Sequence, residues 1–512
     1  MDSNLYTLLR SRWAHAMDRP ALVDVVGFGP TWRELDDLAA RFASTLVSRG
    51  VSSGDRVVVQ VEKSVGAVAL YLACLRTGAV FVPLNTAYTE AEVDRFLRDA
   101  EPRVFVCSRH RTAAAPHVEV LGTTADSSLW AEALVSPPHE PVTARAPKDL
   151  AAIVYTSGTT GVSKGAMLNH GNLAANALTL NALWDFRDDD VLLHALPIYH
   201  VHGLFIAMHC AMLSAATMIF LPKFDAAEVR TLLRRSTVMM GVPTFYTRLL
   251  GLDGLGREDC GRMRLFISGS APLLAGTWRE FEARTGHAIL ERYGMTETGM
   301  ITSNPLGGER VPGTVGFALP DVEIRIVRED DEHSFPADAG EHALSGKVGL
   351  HAKPGEAGIL EVRGPNVFAG YWKLPAMNAV EFRPDGFFVT GDIAVADEHG
   401  RVTLVGRAKD LIISGGLNIY PKEIEDVLDA VDGVAESAVV GIPDSDFGEA
   451  VVAIVVRSPE SRVTAEALMD TVRARLARFK HPRRIVFVDE LPRNAMGKVQ
   501  KNVLRENQRT EG

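Results

Sequence analysis

Apolar positions along the first third of the chain switch between two periods. DRVVVQV (55–61), AVFVPL (79–84) and RVFVC (103–107) are short continuous apolar runs that predict buried strands. SVGAVALYLACLRTG (64–78) and TEAEVDRFLRDA (89–100) have helical length and spacing. Strands alternating with helices predict parallel βαβ units. Residues 108 to about 148, rich in Ala, Thr, Pro and Ser, read as an irregular bridge. A second α/β layer is expected from the strands in TMIFLPKF, TVMMGV and MRLFIS and the helices in DAAEVRTLLRRS and PTFYTRLL, the latter opened by Pro243. Beyond Val322 the pattern becomes short strands with turns: VEIRIV, GILEVRG, FFVTGDIAVAD and RVTLVGR. A polar interval between Arg328 and Gly358 reads as an exposed loop. After about residue 407 strands and helices repeat on a smaller scale. The expected division is therefore 1–407, layered α/β sheets plus a β-rich subdomain, and 408–512, a small α+β domain of a size that folds alone.

Bulk properties narrow the function. At 512 residues the chain exceeds one core. With 46% apolar and 23% charged residues it has the composition of an ordinary globular protein. A net charge of −10 with scattered Lys and Arg gives no footprint for nucleic acid. The N-terminus, MDSNLYTLLRSRW, lacks a signal-peptide core, and no apolar run reaches the roughly 20 residues of a membrane span. Cys74, Cys107, Cys210 and Cys260 are far apart, which suits free thiols in a reducing compartment, so a cytoplasmic location is expected.

Chemistry concentrates in a few clusters. Tyr155 to Met167, YTSGTTGVSKGAM, follows an apolar run and joins Thr156, Ser157, Gly158, Thr159, Thr160, Gly161 and Lys164 in one loop. Glycines turn N–H groups toward an anion, hydroxyls add donors and the lysine adds charge, so the loop is expected to wrap phosphate. It departs from the Walker pattern, because Lys164 follows Ser163 and precedes Gly165. RYGMTETG (292–299) offers Tyr293 to stack on a base, Gly294 beside it, Thr296 to bond phosphate and Glu297 to hold Mg²⁺. TGD (390–392) ends a strand on Asp392, a candidate for a ribose diol. GRAKDLIISGGLNIYPKEIE (406–425) sets Arg407, Lys409, Asp410 and Gly415-Gly416 at the domain boundary, and PRNAMGKVQK (492–501) carries Lys498. SGSAP, ending a strand with Ser270, Ala271 and Pro272, places small residues where open α/β sheets bind ligands. Each cluster has a bland reading as a turn, linker or solvated tail; their ordered combination does not. His194, His200 and His202 invite a metal, but no further ligand joins them at metal spacing.

Taken together, these motifs resemble those of the adenylate-forming superfamily of acyl-CoA synthetases, luciferases and peptide-synthetase adenylation domains, over essentially the whole chain. The resemblance implies that a carboxylate attacks the α-phosphorus of ATP, giving an acyl-adenylate and pyrophosphate, and that a thiol then displaces AMP. It implies Mg²⁺, with ATP and CoA as co-substrates. Thr156 to Lys164 would handle the β and γ phosphates, Thr296 the α-phosphate and Glu297 the Mg²⁺. Tyr293 and the Gly269 to Pro272 turn would frame adenine, and Asp392 and Arg407 would hold ribose. Lys498 would bridge the two reacting anions. Lys409 would be the hinge of a mobile C-terminal domain, whose rotation removes Lys498 and brings Gly415 and Gly416 to line the thiol channel.

The acid is argued from Arg292. An arginine in an acyl pocket needs an anion, since an unpaired buried charge is costly; a second substrate carboxylate would supply one. The bland alternative is an ion pair with Glu291 or Asp410. His200 matches a common family position, and His202 stands where relatives often carry an apolar side chain. ALPIYHVHGLF, GVPTFYTRLL and HAILERYGMTET are similar to the malonyl-CoA synthetase branch, which implies malonate, and often methylmalonate, as substrate, with Arg292 on the distal carboxylate and His200 or His202 nearby. The expected partners are these small molecules only. Rival readings are a monocarboxylate–CoA ligase and a carrier-protein-loading adenylation enzyme.

Overall fold

The first βαβ units build a six-stranded sheet in the order His117–Val120, Val104–Cys107, Arg56–Gln60, Val80–Pro83, Leu150–Thr156, Lys164–Asn169. The computed structural model describes residues 2–109, 113–122, 127–156, 163–328, 351–414, 417–444, 447–494 and 497–510. Five of the strands run parallel and the last is antiparallel to its neighbour. Helix Val65–Thr77 connects two of them; Ser64 caps it by accepting from the Ala67 N–H, and Gly78, at φ +72°, ends it. Its sides are apolar all round because every side is covered.

An eight-stranded sheet follows, ordered Leu22–Val23, Thr217–Phe220, Val191–His194, Val238–Gly241, Leu265–Ser268, Leu290–Met295, Gly299–Ser303, Phe317–Ala318. Pairing is parallel through Leu290–Met295 and antiparallel beyond it. A single large core joins residues of both sheets. The strands after Val322 form an antiparallel sheet of Glu323–Val327, Gly358–Arg363, Phe388–Ala396 and Val402–Arg407. The turn Ala408–Asp410 then leads into a five-stranded sheet with helices Pro421–Asp429, Ala465–Arg475 and Lys501–Thr510, which has its own cores.

Two expectations need correction. The irregular bridge contains strand His117–Val120 and helix Ser128–Val135. HVEV alternates polar and apolar over only four residues, too short a run to stand out in its Ala/Thr/Pro-rich surroundings; its parallel pairing with Val104–Cys107 fixes it. Tyr155 to Met167 is not one loop, because its ends are the two arms of a hairpin with Tyr155 opposite Gly165 and Thr156 opposite Lys164. Small residues at 165 and 166 hid that second strand. Ser157, Gly158, Thr159, Thr160 and Gly161 lie outside the described residues, as do Gly415, Gly416 and positions 329–350 of the polar interval. Among the described residues no helix is long and apolar enough to cross a membrane. All four cysteines are buried and free.

Candidate active site

The C-terminal ends of the parallel strands of the eight-stranded sheet deliver the site. Leu265–Ser268 runs into Gly269 and Ser270, Leu290–Met295 carries Arg292 and Tyr293, and Val191–His194 leads to the histidine segment. Ser270 adopts φ +72°, a left-handed conformation uncommon outside glycine. Its Oγ lies 3.1 Å from His202 Nδ1, tying the two segments together. His202 opens a π-helical turn, His202–Ala207, which continues as helix Met208–Leu213. Such turns cluster at functional sites.

Arg292 is 3% exposed, and its Nε and Nη2 have no hydrogen-bond partner among the described residues. Alternation along its strand turns Glu291 the other way, where that carboxyl accepts from the Gly313 N–H at 2.9 Å. Asp410 instead meets Arg505 at 2.7 Å. The expected bland partners are therefore both committed elsewhere. Burial pushes the Arg292 guanidinium down to about 9. Burial, followed by the Arg292 charge, pushes His200 down to about 4 and His202 well below its ordinary value, so both rings are neutral at pH 7. His202 Nε2 also lacks a partner. Gly269 makes the arrangement possible: a Cβ there would fall 2.7 Å from Arg292 Nε and nearer still to Cζ.

A second group surrounds Glu297, in the turn between Leu290–Met295 and Gly299–Ser303. Tyr371 donates to its Oε1 at 3.0 Å. Lys164 Nζ lies 5.2 Å from the Tyr371 ring and 3.5 Å from Glu381 Oε1. Burial raises the Glu297 carboxyl above the usual range, while Arg407 and Lys164 oppose that shift. Among the described residues no three His, Cys, Asp or Glu side chains gather to cage a metal. One buried carboxylate fits Mg²⁺, which needs one or two protein oxygens when phosphates and water supply the rest, while the Lys164 and Arg407 charges nearby would attract those phosphates. Thr296 lines a small cavity with Leu168, Asn172, Val201, Phe205 and Asn366. A β-bulge at Tyr293/Gly294 re-aims the strand beside it, and a side chain at Gly294 would strike the Gly299 carbonyl.

A third group is assembled across domains. Asp392 and Arg407 are cross-strand neighbours, with Asp392 Oδ1 2.8 Å from Arg407 Nε. The Tyr293 hydroxyl donates to Asp392 Oδ2 at 2.6 Å, so this buried phenol is anchored by its tip. Lys498 comes from the C-terminal domain and is half-buried. Its loop is pinned by Asn494, whose Oδ1 accepts from the Lys498 N–H at 3.0 Å. Gly497 meets helix Pro243–Leu250, its Cβ position lying 3.1 Å from Thr244 Oγ1. Desolvation, then Arg407, then Lys409 push the Lys498 ammonium down to about 8, with Asp392 and Asp410 opposing. Ala271 and Pro272 flank the site, and Lys409 is exposed at the domain boundary.

Sequence reasoning passed over Tyr371 and Glu381, which hold Glu297 and Lys164; no spacing marks either. His194 was seen only as a possible ligand. Its ring instead bonds Lys63 at 2.8 Å and the Gly203 carbonyl at 3.0 Å.

A buried arginine without a carboxylate partner, a buried carboxylate and a lysine brought in by the C-terminal domain, set at the strand ends of two α/β layers, define a nucleotide-dependent activating enzyme. The chain belongs to the family of AMP-binding enzymes: the AMP-binding enzyme model matches residues 9–372 and its C-terminal domain model residues 423–498. It is 36% identical to the mitochondrial malonate–CoA ligase of Mus musculus, covering 95% of this chain and 88% of that protein. It is 34% identical to the indoleacetate–CoA ligase of Aromatoleum aromaticum, over 93% and 92%. The crystal structure of ATP-bound MatB from Rhodopseudomonas palustris matches with 50% identity and TM-score 0.93, over 99% of both chains.

Proposed function

We propose that the chain is an AMP-forming acid–thiol ligase that makes malonyl-CoA, and also methylmalonyl-CoA, from the dicarboxylate, ATP and CoA. The observation that carries the acid is Arg292. Likeness favours malonate, through relatives named malonate–CoA ligase and the 50%-identical MatB, while a relative at 34% identity is named for indoleacetate, so a residue-level ground is needed as well. A buried guanidinium with Nε and Nη2 unpartnered among the described residues supplies it, because a ligand anion would offset the cost of leaving it so. Neutral His200 and His202 add polar atoms without adding charge.

In this reading Arg292 holds the distal carboxylate and leaves the other free to reach the α-phosphorus. Both reactants are anions. Lys498 lies between them as a compact cation and lowers the repulsion as the P–O bond forms and pyrophosphate departs, which is stabilisation aimed at developing charge. Thr296 bonds the α-phosphate, Asp392 and Arg407 orient ribose, and Tyr293 with Ser270 to Pro272 frames adenine. Thr156 to Lys164 receives the leaving group. Glu297 would hold Mg²⁺, which supplies charge neutralisation to the phosphates. The domain boundary falls after Arg407, with Lys409 as hinge. Rotation there withdraws Lys498 and brings Gly415-Gly416 to the thiol's path, so that one site serves two transition states in turn.

AMP release from Mg·ATP and CoA tests the assignment. Malonate is expected to exceed acetate and butyrate by orders of magnitude in kcat/KM, and Arg292→Ala to lower malonate turnover at least a hundredfold with far less effect on a monocarboxylate. Comparable wild-type rates on acetate would sink the dicarboxylate reading. An equal loss on both acids in the variant would make Arg292 structural.

A further inference from the structure

Lys63 lies outside every motif above, three residues beyond strand Arg56–Gln60 of the six-stranded sheet. Its side chain crosses to the other sheet. Nζ donates to His194 Nδ1 at 2.8 Å and to the His194 carbonyl at 2.7 Å, and sits 4.2 Å from the centre of the Phe220 ring. No carboxylate among the described residues pairs with it. Its donors are thus spent on one histidine and one aromatic face, an unusual commitment for a lysine.

The geometry fixes a tautomer. The Gly203 carbonyl only accepts, so the single ring proton of His194 sits on Nε2 and Nδ1 accepts from Lys63, a bond the buried amine donates in either protonation state. Burial and the Lys63 charge keep the ring neutral. The Nε2–H then points at the Gly203 carbonyl, 3.0 Å away. Gly203 belongs to the π-helical turn, and its carbonyl also accepts from the Met208 N–H, the wide i+5 bond that defines such a turn. There is no room to improvise: a Cβ at Gly203 would meet the Pro197 carbonyl. The residue just before it is His202, bonded through Nδ1 to Ser270 and unpartnered at Nε2, within the field of Arg292.

We propose that Lys63 is a positioning residue of the acid pocket: through His194 it anchors the Gly203 carbonyl of the π-helical turn and so sets where the open Nε2 of His202 stands beside Arg292. Without Lys63 the imidazole is free to carry its proton on Nδ1, which would leave the Nε2 lone pair facing the Gly203 oxygen. The turn would then relax toward ordinary α-helical register and carry His202 with it. This inference rests on the malonate reading of the pocket.

Steady-state kinetics of the full-length enzyme test it, with Lys63→Met, Lys63→Arg and His194→Asn; Asn keeps an acceptor for Lys63 but cannot reach Gly203. KM for malonate is expected to rise at least tenfold in Lys63→Met and His194→Asn, and less in Lys63→Arg, with kcat at saturating malonate and KM for Mg·ATP within about threefold of wild type. An unchanged malonate KM in Lys63→Met would overturn the role of Lys63 while leaving the dicarboxylate assignment intact. Loss of kcat together with a lower melting temperature at unchanged KM would also overturn it, because that is what a merely structural lysine does. A wild-type enzyme inactive on malonate would defeat the parent reading instead. Should Lys63→Met fail to fold, Lys63→Arg, which keeps the cation but shifts its donors, and His194→Asn give the same KM readout.

Discussion

In the proposed reading, Lys498 is the residue on which charge and motion meet. Desolvation with Arg407 and Lys409 nearby brings its ammonium to about 8 in the ligand-free protein. The protonated form is the one that could lie between two anions, so under the proposed role activity is expected on the low-pH side of that value. kcat/KM for ATP, which follows the free enzyme, is expected to be flat below about pH 7.5 and to fall tenfold per unit above about 8. Lys498→Arg should move that limb out of range, because a guanidinium keeps its charge; a limb that stays at the same pH belongs to another group. Lys498→Ala should abolish malonate-dependent ATP–pyrophosphate exchange while leaving thioester formation from supplied malonyl-adenylate within about tenfold. Loss of both half-reactions would refute separate roles. At this scale the sequence was most legible where chemistry is clustered: Glu297, Arg292, Asp392, Arg407 and Lys498 all stand in short polar runs beside strand ends. Tyr371, Glu381 and Lys63 do not. A lone Tyr, Glu or Lys has no spacing to read, and only the tertiary fold brings it to the site.

At the scale of elements, the turn after Leu265–Ser268 and the strand Leu290–Met295 work as a pair, because one omits a side chain where the other lays its guanidinium. Gly269→Ala should therefore act on the acid through Arg292. Overpacking of this kind costs about 1 to 3 kcal/mol of stability, and malonate KM should rise about tenfold with KM for ATP changed far less. An unchanged malonate KM, measured by AMP release, would show that the guanidinium sits elsewhere when substrate is bound. Continuous apolar runs made most strands readable. The π-helical turn was not, since HGLFIA has the same composition in either helical register and its extra residue is set by Pro197, Gly203 and His194 in three dimensions. HVEV failed for a related reason, being held by pairing and not by pattern.

At the scale of the whole molecule, the C-terminal domain meets the rest of the chain where Leu411 and Tyr420 pack on Ile359, Val389 and Ile393, and again at the Lys498 loop. The Cβ position of Gly497 is 3.8 Å from Thr244 Cβ, close to the mean separation in a disulfide. Thr244→Cys with Gly497→Cys, oxidised, should hold the adenylation arrangement. Placing a side chain at φ +73° costs about 1 to 2 kcal/mol, and the native thiols are buried away from exchange. Such an enzyme should exchange ATP and pyrophosphate with malonate yet form no malonyl-CoA until reduced. Unimpaired thioester formation in the oxidised protein would mean that no domain rotation is needed.

The edge strand Leu22–Val23 has a further consequence, in time as well as space. It pairs with Thr217–Phe220, and the Trp13 and Trp32 rings stacked 4.9 Å apart donate to the carbonyls of Met212 and Ala215. These particular partners of the N-terminal segment are made roughly 200 residues after it, about 10 to 40 seconds later at ordinary rates of synthesis. The six-stranded sheet can assemble behind the segment meanwhile. Two indole N–H groups and one strand edge stay without these partners until the chain has been made past residue 220.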